Sequence, residues 1–525
     1  MSGSPTTAGT APTSYDHVFY PGHAFDQTHP GHLATLGVLF GMDPTPIERC
    51  RVLELGCGLG GNLLPMAYHL PGSQFVGIDL SAQTIVQGQA NIDALGLTNL
   101  RLVHGDILEI GPDWGQFDYI IAHGVYSWVP PHVREKMLTV FKENLTPNGL
   151  VYVSYNSYPG SHLRNIARDL MLYHVRDMSE PQERIGQARA LLAFMAENSM
   201  ANDVYGTVLR DQLVRVRAVR DEVLFHDDLD EVSTPFYLQQ VADDAARHGL
   251  QYVCDASFSR SSFESRPEPI KQAFSGIPVE NAVAREQYLD FIEGHGFRRS
   301  VLCHDAAALS RPIDPERIRR LFIAAATEPA DPLLDPSTDG IGAFRTERGE
   351  TLSTDHKLSK AALVCLGRAW PSAIAFHDLV EQSLASLGHV QDSLRTRLEE
   401  EMSALAIVLF RTFAAGHLEL HRHAPQLVTT ITERPLANGL ARKQAQSGSL
   451  LTNARHGTVL LEDTIARQFL ALVDGSRTVE MLVADLRGVL ISEGSCTVEA
   501  AAAMATPDLV ERNLRFLSKL GLLVA

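Results

Sequence analysis

Between Arg51 and Ser154 the chain alternates short, nearly continuous apolar runs with amphipathic stretches. The runs are Arg51–Leu55, Gln74–Ile78, Leu100–His104, Phe117–Ala122 and Leu150–Ser154. Their aliphatic and β-branched residues lack strict polar alternation, as in strands covered on both faces of a parallel sheet. Helical stretches such as Ser81–Leu95 and Pro131–Leu145 separate them. This alternation predicts a doubly wound α/β sheet, mostly parallel.

Beyond it the period changes. Leu163 to Phe225 reads as helical throughout, and a further helix spans about Pro235–His248, stopping at Gly249. Leu250–Cys254 and Phe297–Cys303 are expected as the last strands of the same sheet, with a helix at Glu286–His295. A separate helical domain from Leu163 is the alternative. The expected organisation is a leader over 1–14, a core over 15–162 and a helical insertion over 163–310 that contributes the last strands. The Pro/Asp-rich stretch 311–339 reads as a linker. A degenerate repeat of three helices closed by a short strand follows, over 340–430 and 431–525, in the outline of winged-helix-like units.

Length and composition fit this plan. The 525 residues are 45% hydrophobic and 20% charged, enough for more than one core. The net charge of −17 opposes general binding to polyanions. In the C-terminal unit Arg442, Lys443, Arg455, Arg467 and Arg477 are offset by Glu462, Asp463, Asp474, Glu480 and Asp485, so no nucleic-acid partner is expected. The six cysteines are scattered, form no CxxC pair and suit a reducing compartment. No metal-ligand spacing stands out, and His421 and His423 read as surface residues. The first residues have no basic or apolar signal-peptide region, and no apolar run is long enough to span a bilayer. A cytoplasmic protein without a membrane partner is expected.

The chemistry is carried by strand ends. Val52-Leu53-Glu54-Leu55-Gly56-Cys57-Gly58-Leu59-Gly60-Gly61-Asn62 follows the first strand and opens a helix. Read loosely, it matches the dinucleotide fingerprint GxGxxG. Two details favour S-adenosyl-L-methionine: Glu54 precedes the loop, where it can face an ammonium group, and Gly56, Gly58 and Gly60 recur every second residue. Asp79, before Leu80 at the end of the second strand, is placed to accept both ribose hydroxyls. Asp106 closes the third strand, where a carboxylate can take the adenine amine while Ile107 packs on the ring. His123-Gly124 closes the fourth. Each lone acid has a simpler reading as a helix N-cap.

With these motifs the chain resembles the class I S-adenosylmethionine-dependent methyltransferases. The resemblance implies a seven-stranded sheet and methyl transfer by direct displacement at the sulfonium carbon. It assigns Glu54, Gly56, Gly58, Gly60, Asp79, Asp106 and Ile107 to the cofactor, and Cys57, Asn62, Leu80 and Gly124 join them from the same motifs. A narrower resemblance covers nearly the whole chain. It rests on Tyr20-Pro21-Gly22-His23-Ala24-Phe25-Asp26-Gln27-Thr28-His29-Pro30, on Ser154-Tyr155-Asn156-Ser157-Tyr158-Pro159-Gly160 and on Thr452-Asn453-Ala454-Arg455-His456. These look like bacterial methyltransferases with a regulatory domain, a group that includes rickettsial protein-lysine methyltransferases.

For the acceptor site, Tyr126, Trp128, Tyr155, Asn156 and Tyr158 fall just past the fourth and fifth strands. Aromatic faces hold cations by about 0.5–2 kcal/mol each, and Asn156 can accept a hydrogen bond from an amine. The same aromatics also suit plain core or lid packing. His123 is a candidate base, or lines the cofactor through its backbone. Gln27, Thr28 and His29 are expected as a flap over the cofactor, with a simple helix start as the alternative. The leading expectation is an enzyme methylating a protein lysine, possible as a homodimer. A small-molecule methyltransferase and a non-catalytic cofactor-sensing scaffold are the alternatives.

Overall fold

The computed structural model describes residues 22–524 apart from 201–202, 264–265, 425–426, 429 and 493–496. The expected leader 1–14, Tyr20, Pro21 and Cys496 lie outside the described residues.

The central sheet has seven strands: β1 (Arg51–Leu55), β2 (Gln74–Asp79), β3 (Leu100–His104), β4 (Phe117–Ala122), β5 (Leu145–Asn156), β6 (Leu250–Asp255) and β7 (Phe297–His304). Their order is β3-β2-β1-β4-β5-β7-β6. β1 to β5 run parallel, and β7 runs antiparallel to both its neighbours. The order reverses between β1 and β4, which opens a crevice at their C-terminal ends. Alternate residues of β1 serve opposite cores, Val52 on one side and Leu53 and Leu55 on the other. Burial on both faces explains the missing polar alternation. Ser81 starts the helix Ala82–Leu95 by accepting from Thr84 N, and left-handed Gly96 ends it.

The helices Gly160–Val175, Pro181–Asn198, Val204–Ala218 and Asp221–Asp228 pack around a core of their own. Buried Asp228 ties them together by accepting from Arg164 Nε and Arg215 Nη2, each at 2.9 Å. Because β7 is antiparallel, its first residue, Phe297, pairs with Asn156 at the end of β5.

The stretch 311–339 is not a linker over its whole length. Phe322–Ala324 forms a sheet with Ile374–Ala375 and Glu419–His421, and Ile323 is fully buried. Thr327–Pro329 joins a second small sheet with Gly342–Thr346 and Thr351–Thr354. Only the Asp-Pro-rich part forms turns, with Asp331 and Asp335 accepting from Leu333 N and Ser337 N at 2.9 Å. Its prolines masked the apolar run before it.

The last unit contains the expected helices at Thr464–Leu472, Val479–Ser492 and Pro507–Lys519. It adds the helix Gly439–Ser447 and a hairpin of Leu450–Thr452 and Thr458–Leu460. Among the described residues no helix is long and apolar enough to cross a membrane.

Candidate active site

The Gly loop turns sharply after β1. Gly56, Gly58 and Gly60 have φ of 69°, 53° and 77°, the left-handed region. A Cβ at Gly56 would lie 2.5 Å from Val125 Cγ2, so this position has no room for a side chain. Beside Gly58 a Cβ would meet nothing within 4 Å, which leaves that backbone open to a ligand. The N–H groups of Gly56 and Cys57 bond Ile78 O at 2.9 and 3.1 Å, fastening the loop to β2. The Cys57 side chain is buried in the core, so only its backbone stands in the loop.

Asp79 organises the far side. Its Oδ2 accepts from Gly58 N at 2.8 Å and its Oδ1 from Ser81 N at 2.9 Å. Leu80 next to it is 42% exposed. Asp106 caps the short helical turn Ile107–Glu109 by accepting from Leu108 N at 2.9 Å. It thus fills the N-cap role and stands at the end of β3 at once.

Glu54 is buried at 3% exposure. Asn62 Nδ2 donates to its Oε1 at 2.8 Å, while its Oε2 is buried with no hydrogen-bond partner. Burial pushes its pKa up to about 8, against the Asn62 hydrogen bond and with some help from Asp79. A buried carboxylate with one unpartnered oxygen suits a cationic ligand group. With the open backbone at Gly58 and the exposed Leu80, the residues fit S-adenosylmethionine, whose sulfonium carries the transferable methyl.

The segment before the sheet lies directly on the loop. A Cβ at Gly61 would be 2.5 Å from Gly22 C, so the two backbones touch. Phe25 N donates to Asn62 Oδ1 at 3.1 Å, and fully buried Thr28 donates to Phe25 O at 2.7 Å. Gln27 sits in the turn Asp26–Thr28, and His29 caps the helix Pro30–Leu39 by accepting from Gly31 N. The segment is therefore a helix start that lies against the Gly loop.

An aromatic cluster stands past β4 and β5. The His123 ring lies 3.9 Å from Phe25, 5.8 Å from Tyr152 and 6.3 Å from Phe297. Its Nδ1 is 3.0 Å from Tyr152 Oη and 3.2 Å from Ser154 Oγ, and Gly124 N donates to Ser154 Oγ at 2.8 Å. Burial, then Arg299 and His23, lower its pKa to about 3. So weak a base is mismatched to proton removal near neutral pH, which favours the other expectation for His123, a lining role through its backbone.

Tyr126 and Tyr155 show the core packing that was the alternative for these aromatics. Both are 1% exposed and pack with Phe236 as core. Tyr155 Oη is hydrogen-bonded to Ser300 Oγ at 2.8 Å. Tyr158 stacks on His162 at 4.1 Å, and Trp128 is half-buried, its N donating to Val125 O at 2.8 Å. Asn156 is buried, its Nδ2 3.4 Å from Ser233 Oγ. Phe25 and Phe297, which flank the His123 ring, were not among the expected candidates, and Tyr152 and Ser154 hold that ring from within the core, on the same face of β5 as Asn156. His421 and His423 do not stand on open surface: they line a cavity of about 620 Å³ with His29, His32 and His69. Among the described residues no cluster is arranged to hold a metal.

Comparison with known proteins agrees with this geometry. Residues 52–149 match a methyltransferase domain, 220–304 a predicted methyltransferase regulatory domain and 433–517 the PKMT C-terminal winged-helix domain. The chain is 32% identical over 468 residues to the uncharacterized protein RP789 of Rickettsia prowazekii, covering 87% of this chain and 82% of that one. Its fold is similar to PKMT2 from Rickettsia typhi in complex with AdoHcy, with TM-score 0.85 and 27% identity over 96% of this chain and 100% of that one. A second structure of PKMT2 gives TM-score 0.86 at 28% identity over the same shares. This chain belongs to the S-adenosylmethionine-dependent methyltransferases that carry a methyltransferase regulatory domain and a PKMT-type C-terminal winged-helix domain.

Proposed function

We propose that the methyl acceptor is the amine of a protein lysine. The observation that carries this reading is the likeness to PKMT2 over 96% of the chain, winged-helix domain included. The aromatic cluster supports it, since the partly exposed Phe25 and Phe297 offer apolar walls to an alkyl-amine stem. In the same reading Glu54 takes the cofactor's ammonium, Asp79 the ribose hydroxyls and Asp106 the adenine amine, between Leu80 and Ile107. Gly56, Gly58, Gly60 and Gly124 give backbone room, Asn62 orients Glu54, and Gln27, Thr28 and His29 cover the site. Asn156, Trp128 and Tyr158 stand toward the acceptor. The amine attacks the methyl carbon, the carbon–sulfur bond breaks and sulfur keeps the electron pair. With His123 so weak a base, the amine's proton leaves to solvent.

Asn156→Ala is then expected to slow transfer about tenfold while S-adenosylhomocysteine affinity stays within about twofold. Single-turnover rates and calorimetry read the two effects; equal loss in both would move Asn156 into the cofactor pocket. The reading as a whole is tested with methyl-tritiated cofactor and a lysate of the source cell. Label in discrete protein bands supports it, and label confined to small molecules would replace it with a metabolite acceptor. Five free cysteines among the described residues support a cytoplasmic setting. Exposed Tyr173, Phe194, Val204 and Val214 on the helical insertion support a homodimer, which light scattering reads as twice 57.5 kDa.

A further inference from the structure

His456 is the only non-glycine residue, among those described, with a left-handed backbone, at φ 61°. Such a conformation persists in a residue with a Cβ only when its surroundings impose it. Here Asn453 does so. Its backbone N donates to Gly457 O at 2.9 Å, and its Oδ1 accepts from Arg455 N at 3.0 Å and Gly457 N at 2.7 Å. Its Nδ2 holds Leu520 O at 2.9 Å, fixing the turn to the rest of the winged-helix domain. The turn joins the two hairpin strands and points into the methyltransferase core. Thr458 Oγ1 donates to Ala24 O at 2.9 Å, and the His456 and His29 rings are 5.1 Å apart.

The ring ends on Asn62. His456 Nε2 lies 2.9 Å from Asn62 Oδ1, and both residues are buried. Asn62 is the residue that holds Glu54, and its amide works in one orientation only. Nδ2 must face Glu54 to donate; turned over, Oδ1 would face the carboxylate and repel it. Donors onto Oδ1 decide the orientation, and these are Phe25 N at 3.1 Å, the Thr28 hydroxyl at 3.1 Å and, nearest, His456 Nε2 at 2.9 Å. Burial keeps the His456 ring neutral, so its single ring hydrogen serves this bond.

We propose that His456 is a positioning residue of the cofactor site, through which the C-terminal winged-helix domain sets Asn62 and thereby Glu54. It acts across a sequence separation of 394 residues and does not touch the reacting atoms. The inference rests on the placement of the cofactor's ammonium at Glu54.

The test is calorimetry of the full chain with S-adenosylhomocysteine, alongside thermal melting. His456→Phe fills the ring's place without a donor and is expected to weaken binding about tenfold. His456→Gln restores a donor and is expected to bind within about threefold of the native chain. His456→Gly suits the left-handed backbone and serves if the Phe variant does not fold; the same tenfold loss is expected. Thr458→Val removes the neighbouring domain contact alone and is expected to bind as the native chain does. Native affinity in the Phe or Gly variant, with affinity lost in Glu54→Gln, would overturn the inference and leave the Glu54 placement standing. Equal losses in the Gln and Phe variants would also overturn it, by assigning the effect to ring packing. Native affinity in Glu54→Gln would overturn the placement and the inference together.

Discussion

Glu54→Gln is expected to weaken S-adenosylhomocysteine binding by about thirtyfold or more, with little change in melting temperature. The amide has the same shape and can still accept from Asn62, but it carries no charge. A buried ammonium that loses its carboxylate costs about 2–5 kcal/mol, which is at least a thirtyfold change. The pH dependence gives a second signature. In the free protein burial raises Glu54 to about 8, so at pH 7 it is mostly protonated. The ligand's ammonium requires the carboxylate, so binding at pH 7 must release most of one proton. Affinity therefore climbs as pH rises toward 8, and both the climb and the proton release vanish in the Gln variant. Calorimetry in buffers of different ionisation enthalpy reads the proton directly. Unchanged proton release in the variant would remove Glu54 from the site.

Asp79→Ala is expected to have an effect of similar size for a different reason. The native carboxylate holds Gly58 N and Ser81 N, and it retains lone pairs for ribose hydroxyls. Removing it deletes charge-assisted hydrogen bonds worth about 1.5–3 kcal/mol each and frees the tip of the Gly loop. Binding should fall about a hundredfold, and melting temperature should fall as well, unlike in Glu54→Gln. Asp79→Asn should recover stability more than affinity, because an amide oxygen still accepts from the loop. Calorimetry and melting separate these, and native affinity in Asp79→Ala would refute the ribose placement.

What could be read from the sequence follows the range of the interactions. The parallel strands were legible because burial on both faces leaves continuous apolar runs. Gly56, Gly58 and Gly60 were legible because the turn that needs them is local. The aromatic cluster was only half legible. Tyr152, Ser154 and Asn156 share a strand face, but Phe297 reaches them through an antiparallel strand entered about 140 residues later. The same rule turns Tyr155 to the other face, where it packs in the core with Tyr126 and Phe236. His456 carries no signal beyond its motif, since its role depends on how a distant hairpin docks. The stretch 311–339 misled because proline and aspartate outweighed Leu321 and Ile323 to Ala325, which are core.

The central claim is that the acceptor is a protein lysine amine. Its most direct test is amino-acid analysis of the protein bands labelled with methyl-tritiated cofactor. After acid hydrolysis the label is expected to elute with methylated lysine. Label recovered as volatile methanol, or with methylated arginine, would contradict it.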